Sequence, residues 1–275
     1  MNPANQPQPS ATVILLDPDR AQGEPFALYL LKRRSRSRFM PGRFVFPGGR
    51  VEPRDGEDPF SPRSLAACAL RELWEEAGVV LAHDQAAAAA VPVREREQAR
   101  RRLQEGQWSL ERAMQGLGLA PAFDALIPYG RWITPSARPQ RFDTVFFLAL
   151  MPPGQQAESD HLETSQGLWL GPARALEENL AGRVELAPPQ VRILGELADF
   201  PSLADLLERA GRGDLEPVRP FLWIQGERRV ILLPWDPDYP QRHPRSPAQP
   251  CPAGQATRLV HQEGRWLPAK CQSPQ

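Results

Sequence analysis

The 275-residue sequence lacks an excess of either charge, because 33 Lys+Arg residues are matched by 33 Asp+Glu residues. A chain with zero net charge does not attract nucleic acid by bulk electrostatics, so we expect no nucleic-acid partner. Long apolar runs are also missing. The longest, Val145 to Met151, is far shorter than the roughly 18 residues of a membrane span, so we expect no membrane partner either.

Cysteine is scarce as well. Cys68, Cys251 and Cys271 cannot form a fully paired disulfide framework, and no two of them have a CxxC spacing. The N-terminus has neither the basic segment nor the apolar run of a signal peptide. These absences favour a reducing compartment, and we expect a cytoplasmic protein.

Proline is abundant instead, at 32 residues, and it is concentrated at the two ends of the chain. Three prolines lie in the first ten residues, and seven lie between Pro234 and Pro252. We therefore predict a disordered N-terminal tail at 1–10, one domain at 11–233 and a Pro-rich C-terminal extension at 234–275. The domain contains an inserted helical segment at about 80–128, because that stretch is rich in Ala and Arg.

Apolar periodicity predicts a mixture of strands and helices without strict alternation, which is typical of an α/β or α+β fold with a mixed sheet. A strand at Phe142–Leu150 is apolar on both faces and is therefore predicted to be central and buried. The other predicted strands are 11–16 paired with 26–31, 43–46, 167–170, 218–224 paired with 230–233, and a final hairpin of 258–261 with 265–267. Predicted helices are 64–77, 94–104, 110–117, 172–180 and 189–200.

The most informative helix, Ser64–Ala77, carries Arg71, Glu72, Glu75 and Glu76. Its three carboxylates lie on one side of the helix within two turns, and Glu76 falls inside the edge of the apolar face. One interpretation is a solvated acidic face. The other is a metal site, because a partly buried carboxylate is costly unless it binds a cation, and oxygen-only ligands suit Mg²⁺ or Mn²⁺.

The segment from Phe46 to Glu52, Phe-Pro-Gly-Gly-Arg-Val-Glu, followed by this helix, resembles the Nudix hydrolase family. The family box reads Gly, five residues, Glu, seven residues, Arg-Glu, an aliphatic residue, any residue, Glu-Glu, any residue, Gly and an aliphatic residue. Here Gly49 matches the first glycine, and Arg71 to Val79 match the second half. The resemblance implies a Nudix-type α/β/α sandwich with a mixed sheet, inserted helices and a C-terminal β-hairpin extension.

The same resemblance implies an enzyme that requires Mg²⁺ or Mn²⁺. It implies that Glu72, Glu75 and Glu76 ligate the metal and that Arg71 holds a glutamate in place. Gly49 is expected beside the metal, since glycine lets the backbone approach closely. The box also departs from the family pattern, because Asp55 stands where the first glutamate belongs and fifteen residues separate it from Arg71. Either Asp55, Glu57 or Asp58 takes over that glutamate's role, or none of them does.

Segments around the box resemble a subgroup of the family, the coenzyme A and acyl-CoA diphosphatases. These segments are Leu30–Ser35, Gly42–Gly49, Arg131–Pro135 and Arg141–Thr144. The implied substrate is a small nucleotide, coenzyme A or acyl-CoA, cleaved to 3′,5′-ADP and phosphopantetheine. An ADP-ribose or NADH pyrophosphatase and a non-catalytic ligand sensor are the alternatives. The intact acidic helix argues against the sensor, and the sequence leaves the oligomeric state open.

Several further side chains are candidates for the site. Arginines suit bidentate phosphate contacts, and the alternative for each is a solvated loop residue; the substrate-binding candidates are Arg33, Arg34, Arg38, Arg138 and Arg141. Glu163, just before a short predicted strand, is a candidate for an additional metal ligand or else a surface glutamate. The basic segment 94–102 is expected to be a solvated helix face.

Overall fold

The computed structural model describes residues 6–36, 40–211, 215–240 and 255–270, and within these ranges the chain forms twelve β-strands and seven α-helices. The strands are β1 (Gln8–Asp17), β2 (Ala27–Arg33), β3 (Phe44–Val45), β4 (Gly48–Arg50), β5 (Ile127–Ile133), β6 (Phe142–Leu150), β7 (Thr164–Leu170), β8 (Pro217–Val218), β9 (Phe221–Gln225), β10 (Arg228–Leu232), β11 (Arg258–Gln262) and β12 (Arg265–Ala269). The helices are α1 (Pro62–Ala77), α2 (Gln85–Ala90), α3 (Val93–Gln104), α4 (Leu110–Gly116), α5 (Pro172–Leu180), α6 (Pro188–Leu197) and α7 (Leu203–Ala210).

Strand β1 is the centre of a mixed sheet that contains β1 to β8. It pairs in parallel with β6 along most of its length, from Gln8 opposite Phe142 to Leu16 opposite Leu150. The predicted hairpin of β1 with β2 is present, but the two strands pair only near the turn, at Leu16–Leu28 and Asp17–Ala27. Beyond that point they diverge, and β4 pairs with β1 instead. This gap between β1 and β2 positions the candidate site.

Two hydrophobic layers cover the sheet, as the alternation of side chains along β1 requires. Val13 and Leu15 face a core shared with α1, α3 and α4. Ile14 and Leu16 face a second core shared with α5, α6, α7 and the smaller sheet formed by β9 to β12. The predicted α/β/α sandwich with a mixed sheet is confirmed, and so is the buried position of β6 between β1 and β5.

Helix α1 begins two residues earlier than predicted. Ser61 is the N-cap, and its hydroxyl accepts a hydrogen bond from the Ser64 amide at 3.1 Å. Pro62 follows at the first helical position, where its fixed φ suits a helix start. The predicted end is confirmed, because Gly78 adopts a left-handed φ of +70° and its amide bonds to the Trp74 carbonyl.

Other predictions require correction at the ends of the chain. Strand β1 starts at Gln8, so the last three residues of the predicted tail belong to the sheet, where they pair with β6. Helix α7 was not predicted. Strand β8 is separate from β9 and pairs with β5. The final hairpin pairs with β10 through Val230 and Val260, so this sheet continues across the predicted boundary at residue 233. In the described part of the chain, every helix is too short or too polar to cross a bilayer.

Candidate active site

Helix α1 packs against β1 and β4 and directs two carboxylates at strand β4. The Gly48 amide donates to Glu76 Oε2 at 2.9 Å. Gly49 lies against Glu72 so closely that a Cβ at this position would stand 2.2 Å from Glu72 Oε1. Any side chain at Gly49 would therefore displace the Glu72 carboxylate, which explains the glycine at this position.

Arg71 connects the carboxylates of this region, and its side chain is fully buried. Its Nε and Nη2 donate to the two oxygens of Asp55 at 2.7 and 2.9 Å, in a bidentate pair. Its Nη1 donates to Glu72 Oε1 at 2.7 Å and to Glu75 Oε2 at 3.0 Å. Nη2 also donates to the Arg50 carbonyl at 3.0 Å, which ties α1 to the end of β4. Arg71 thus fixes the orientation of two of the three predicted metal ligands.

Among the three acidic residues that could replace the box glutamate, the structure brings Asp55 to Arg71. Asp55 is 5% exposed, and its Oδ2 also accepts from the Glu52 amide at 2.8 Å. Glu57 and Asp58 are exposed. The longer loop of this sequence is accommodated after Asp55, before the N-cap of α1, so the spacing from Gly49 to the acidic residue is retained.

Sequence reasoning missed Arg54, which is a second partner of Glu75. Arg54 Nη2 donates to Glu75 Oε1 at 3.1 Å, and its Nε donates to Glu52 Oε2 at 2.7 Å. Both oxygens of Glu75 are thus bound by arginines, because Arg71 holds Oε2. Glu72 and Glu76 are the carboxylates that face the two glycines. The one sequence signal for Arg54 is its position beside Asp55.

Arg100 also departs from the sequence-based expectation. It belongs to the basic segment that was expected to be solvated, yet it is only 5% exposed. Its Nε donates to the Glu75 carbonyl and its Nη2 to the Glu158 carbonyl, each at 3.0 Å. It therefore binds a free carbonyl in the last turn of α1, where a cation is favoured by the helix dipole.

The carboxylates of α1 are protonated more readily than exposed ones. Burial raises the pKa of Glu75 from 4.5 to about 7, although two arginines bind it. Burial also raises the pKa of Glu72, and burial together with the charge of Glu72 raises the pKa of Glu76. A bound cation would favour the charged forms, which is the arrangement expected of hard oxygen ligands for a divalent ion.

The donor set of Glu72 and Glu76 therefore fits Mg²⁺ or Mn²⁺ in chemistry. In the residues that the structure describes, no three acidic, histidine or cysteine side chains are yet arranged to hold an ion. Two of the three α1 carboxylates are bound by arginines instead, Glu72 by Arg71 and Glu75 by Arg71 and Arg54.

Arg33 and Glu163 lie beside these carboxylates, on the exposed side. Arg33 Nη2 is 3.9 Å from Glu163 Oε2, and the Glu163 side chain is 70% exposed. Both charges act on Glu76, since Arg33 lowers its pKa and Glu163 raises it. Arg34 instead donates to the His161 carbonyl, so it holds the loop that carries Glu163. Arg38 lies outside the described residues.

Arg138 and Arg141 lie farther from α1, in the connection between β5 and β6. Arg141 Nε donates to the Thr134 carbonyl at 3.0 Å, and the Arg141 carbonyl accepts from the Gln8 amide at 3.0 Å. Gln8 is four residues along β1 from Thr12, which pairs with Gly48, a distance of about 13 Å along a strand. The structure therefore does not place these two arginines in contact with the carboxylates.

Comparison with known proteins identifies the family. The family model of the NUDT19 Nudix domain matches residues 60–197. The chain belongs to the Nudix hydrolase family. Over 279 residues this Nudix hydrolase is 30% identical to the acyl-coenzyme A diphosphatase NUDT19 of Gallus gallus, covering 78% of this chain and 73% of that protein. Its human counterpart is also 30% identical, over 81% of this chain and 74% of the human protein.

A solved structure supports the same assignment. The Nudix hydrolase from Alicyclobacillus acidocaldarius superposes with a TM-score of 0.64 at 25% identity, covering 76% of this chain and 99% of that one. The predicted family, fold and enzyme class are thus confirmed. In this Nudix hydrolase, Asp55 binds Arg71 and Arg54 binds the Glu75 carboxylate. Arg100 binds the main-chain carbonyl of Glu75.

Proposed function

We propose that this Nudix hydrolase cleaves the diphosphate linkage of coenzyme A or an acyl-CoA and releases 3′,5′-ADP and phosphopantetheine or its acylated form. The observation that carries the chemistry is the pair of largely buried carboxylates, Glu72 and Glu76, directed at Gly48 and Gly49. The substrate class is supported by relatives named acyl-coenzyme A diphosphatase, which align with most of the chain.

In this proposal Glu72 and Glu76 would hold Mg²⁺ or Mn²⁺, and Gly49 and Glu163 would contribute to the same site. When bound, such an ion offsets the charge of the diphosphate and lowers the pKa of a bound water. Arg71 keeps the Glu72 carboxylate turned toward Gly49, and Asp55 in turn fixes Arg71. These contacts preorganise the ligands before substrate arrives.

Side chains of the protein carry out two further tasks, proton transfer from the attacking water and binding of the diphosphate. One of Glu72, Glu75 and Glu76 accepts the proton of the attacking water, a task suited to carboxyls whose pKa lies nearer neutrality than usual. Arg33 is proposed to bind oxygens of the diphosphate, because it lies 3.9 Å from Glu163 and its charge acts on Glu76. We also propose a reducing, cytoplasmic location, which the buried free thiol of Cys68 supports.

Product analysis tests this function. The protein is incubated with Mg²⁺ or Mn²⁺ and with coenzyme A, an acyl-CoA, NADH or ADP-ribose, and the products are identified by mass. We expect 3′,5′-ADP and phosphopantetheine from coenzyme A, and no product with Glu76→Gln. Faster release of AMP from ADP-ribose or NADH would instead identify a pyrophosphatase of those nucleotides. No turnover of any substrate, with ligand binding unchanged in Glu76→Gln, would identify a sensor.

A further inference from the structure

Basic side chains from five separate segments of the chain lie together near the end of the large sheet at which β1 and β6 begin. We call this group the basic rim. It consists of Arg43 before β3, Arg138 and Arg141 between β5 and β6, Arg219 after β8, Arg229 on β10 and His261 on β11. Two of these arginines were predicted from the sequence to bind substrate, whereas the members from β8 onward belong to no motif.

Strand pairing and a hydrogen bond from the Arg43 side chain hold the segments of the basic rim in place. Arg229 and His261 are direct partners in the register of β10 and β11. Arg43 Nη2 donates to the Gly264 carbonyl at 2.6 Å, which joins the start of β3 to the turn between β11 and β12. Strand β8 runs beside β5, so Arg219 follows immediately after the pair of Val218 with Trp132.

The charges of the basic rim repel one another. Burial and then the charge of Arg229 lower the pKa of Arg138, and burial and then Arg219 lower the pKa of Arg141. The pKa of His261 is lowered chiefly by burial and also by the charges of Arg43, Arg229 and Arg138. These groups therefore lie within electrostatic reach of each other, although they are far apart in sequence.

Only part of this charge is neutralised by the part of the chain that the structure describes. Glu185 is 3.2 Å from Arg43 Nη1, but Arg138, Arg219 and Arg229 form no ion pair with any described residue. Other exposed arginines do find carboxylates, as Arg174 does with Glu177 at 3.1 Å. Such a concentration of arginines attracts anions, and the guanidinium fork suits the oxygens of a phosphate.

We propose that the basic rim binds a phosphate monoester of the substrate that is separate from the hydrolysed diphosphate. In coenzyme A this group is the 3′-phosphate, which ADP-ribose and NADH lack. The proposal rests on the proposed function and adds a specificity subsite to it, contributed largely by the C-terminal sheet. Arg43 connects the two regions, because its carbonyl accepts from the Arg33 amide while its side chain reaches the smaller sheet.

The test compares coenzyme A with 3′-dephospho-coenzyme A, which differs only in that phosphate. We expect Arg138→Gln and Arg229→Gln each to lower kcat/KM for coenzyme A about tenfold, mainly through KM. For the dephospho compound we expect no change. Arg228→Gln is the matched control, since Arg228 neighbours Arg229 on β10 but its guanidinium lies over the Trp223 ring, 5.8 Å from the centroid. It should leave both substrates unaffected.

A binding measurement separates this proposal from the proposed function. Calorimetry with 3′,5′-ADP and with 5′-AMP should show tighter binding of 3′,5′-ADP to the wild type, with most of that difference lost in Arg138→Gln and Arg229→Gln. If the variants weakened both nucleotides equally, or neither, the subsite would be refuted. If the wild type discriminated between the nucleotides but hydrolysed no coenzyme A, the proposed function would fail while the subsite stood.

Discussion

The carboxylates of α1 and the basic rim are both groups of like charges, but they differ in burial and in the charges around them. The carboxylates are largely buried and are held by Arg71 and Arg54 from inside the fold. In the basic rim Arg138 and Arg229 are exposed, and no carboxylate of the described chain pairs with them. The first group therefore belongs to the interior of the fold, whereas the second is accessible to an anion from solution.

The largest effect that tests this comparison is on activity. Glu76→Gln should lower kcat about a thousandfold, because it removes a carboxylate that either holds the metal or receives a proton. The free energy of unfolding of the metal-free protein should not fall, since the amide can still accept from Gly48 and no longer repels Glu72. Steady-state kinetics and urea unfolding measure the two quantities. Retention of more than about a tenth of the activity would contradict this assignment.

Next in size is a loss of stability when the internal arginine is removed. Arg71→Met should lower the free energy of unfolding by about 3–5 kcal/mol, because it leaves Asp55 buried without its partner. Arg63→Met is the control on the same helix, since Arg63 is exposed and its pair with Glu111 is 3.7 Å long. That variant should change stability by less than about 1 kcal/mol. The free energies of unfolding are measured in urea. Similar decreases for both variants would show that the buried ion pairs of Arg71 do not contribute specially to stability.

A smaller effect is expected on the pH dependence of stability in EDTA. The folded-state pKa of Glu75 is raised from 4.5 to about 7, and those of Glu72 and Glu76 are also raised. Groups with a raised folded pKa stabilise the protein below about pH 4.5, and this contribution is lost as pH rises through the folded pKa. The Tm should therefore fall between about pH 4.5 and 7, and less steeply in Glu76→Gln. A Tm that rises over this interval in the wild type would contradict the raised pKa values.

The smallest predicted effect has the opposite sign. Arg229→Gln should raise the free energy of unfolding by up to about 0.5 kcal/mol in the absence of ligand, because it relieves repulsion with Arg138. The gain should shrink at high salt, which screens exposed charges. Urea unfolding at two salt concentrations measures it, with Arg228→Gln as the control. A clear loss of stability would show that Arg229 has a structural partner. The contrast between the α1 carboxylates and the basic rim would then fail.

The sequence predicted those parts of the site that depend on local spacing. Glu72, Glu75 and Glu76 share one helix, so their common side follows from the helical period alone. The partner of Arg71 could not be deduced in this way, because Asp55 is brought to it by the loop that differs from the family pattern. The burial of Arg100 depends on how α3 packs on α1, which charge periodicity does not reveal.

The basic rim could not be predicted from local spacing either, because its members are far apart in sequence. Its members meet only because β8 pairs with β5 and because β11 pairs with β10. The predicted boundary at residue 233 separated the final hairpin from the domain, so His261 could not be placed beside Arg229 and Arg138. Short strands with few pairs, such as Pro217–Val218, carry little periodicity by which to predict their neighbours.

Metal binding is the property on which the account depends most directly. Mn²⁺ can be titrated by electron paramagnetic resonance into the wild type, Glu76→Gln and Glu57→Gln, where Glu57 is an exposed acidic residue of the preceding loop. We predict binding to the wild type, at least about tenfold weaker binding to Glu76→Gln, and no change in Glu57→Gln. Equal Mn²⁺ affinity in all three proteins would show that the α1 carboxylates do not hold the metal and would contradict the account.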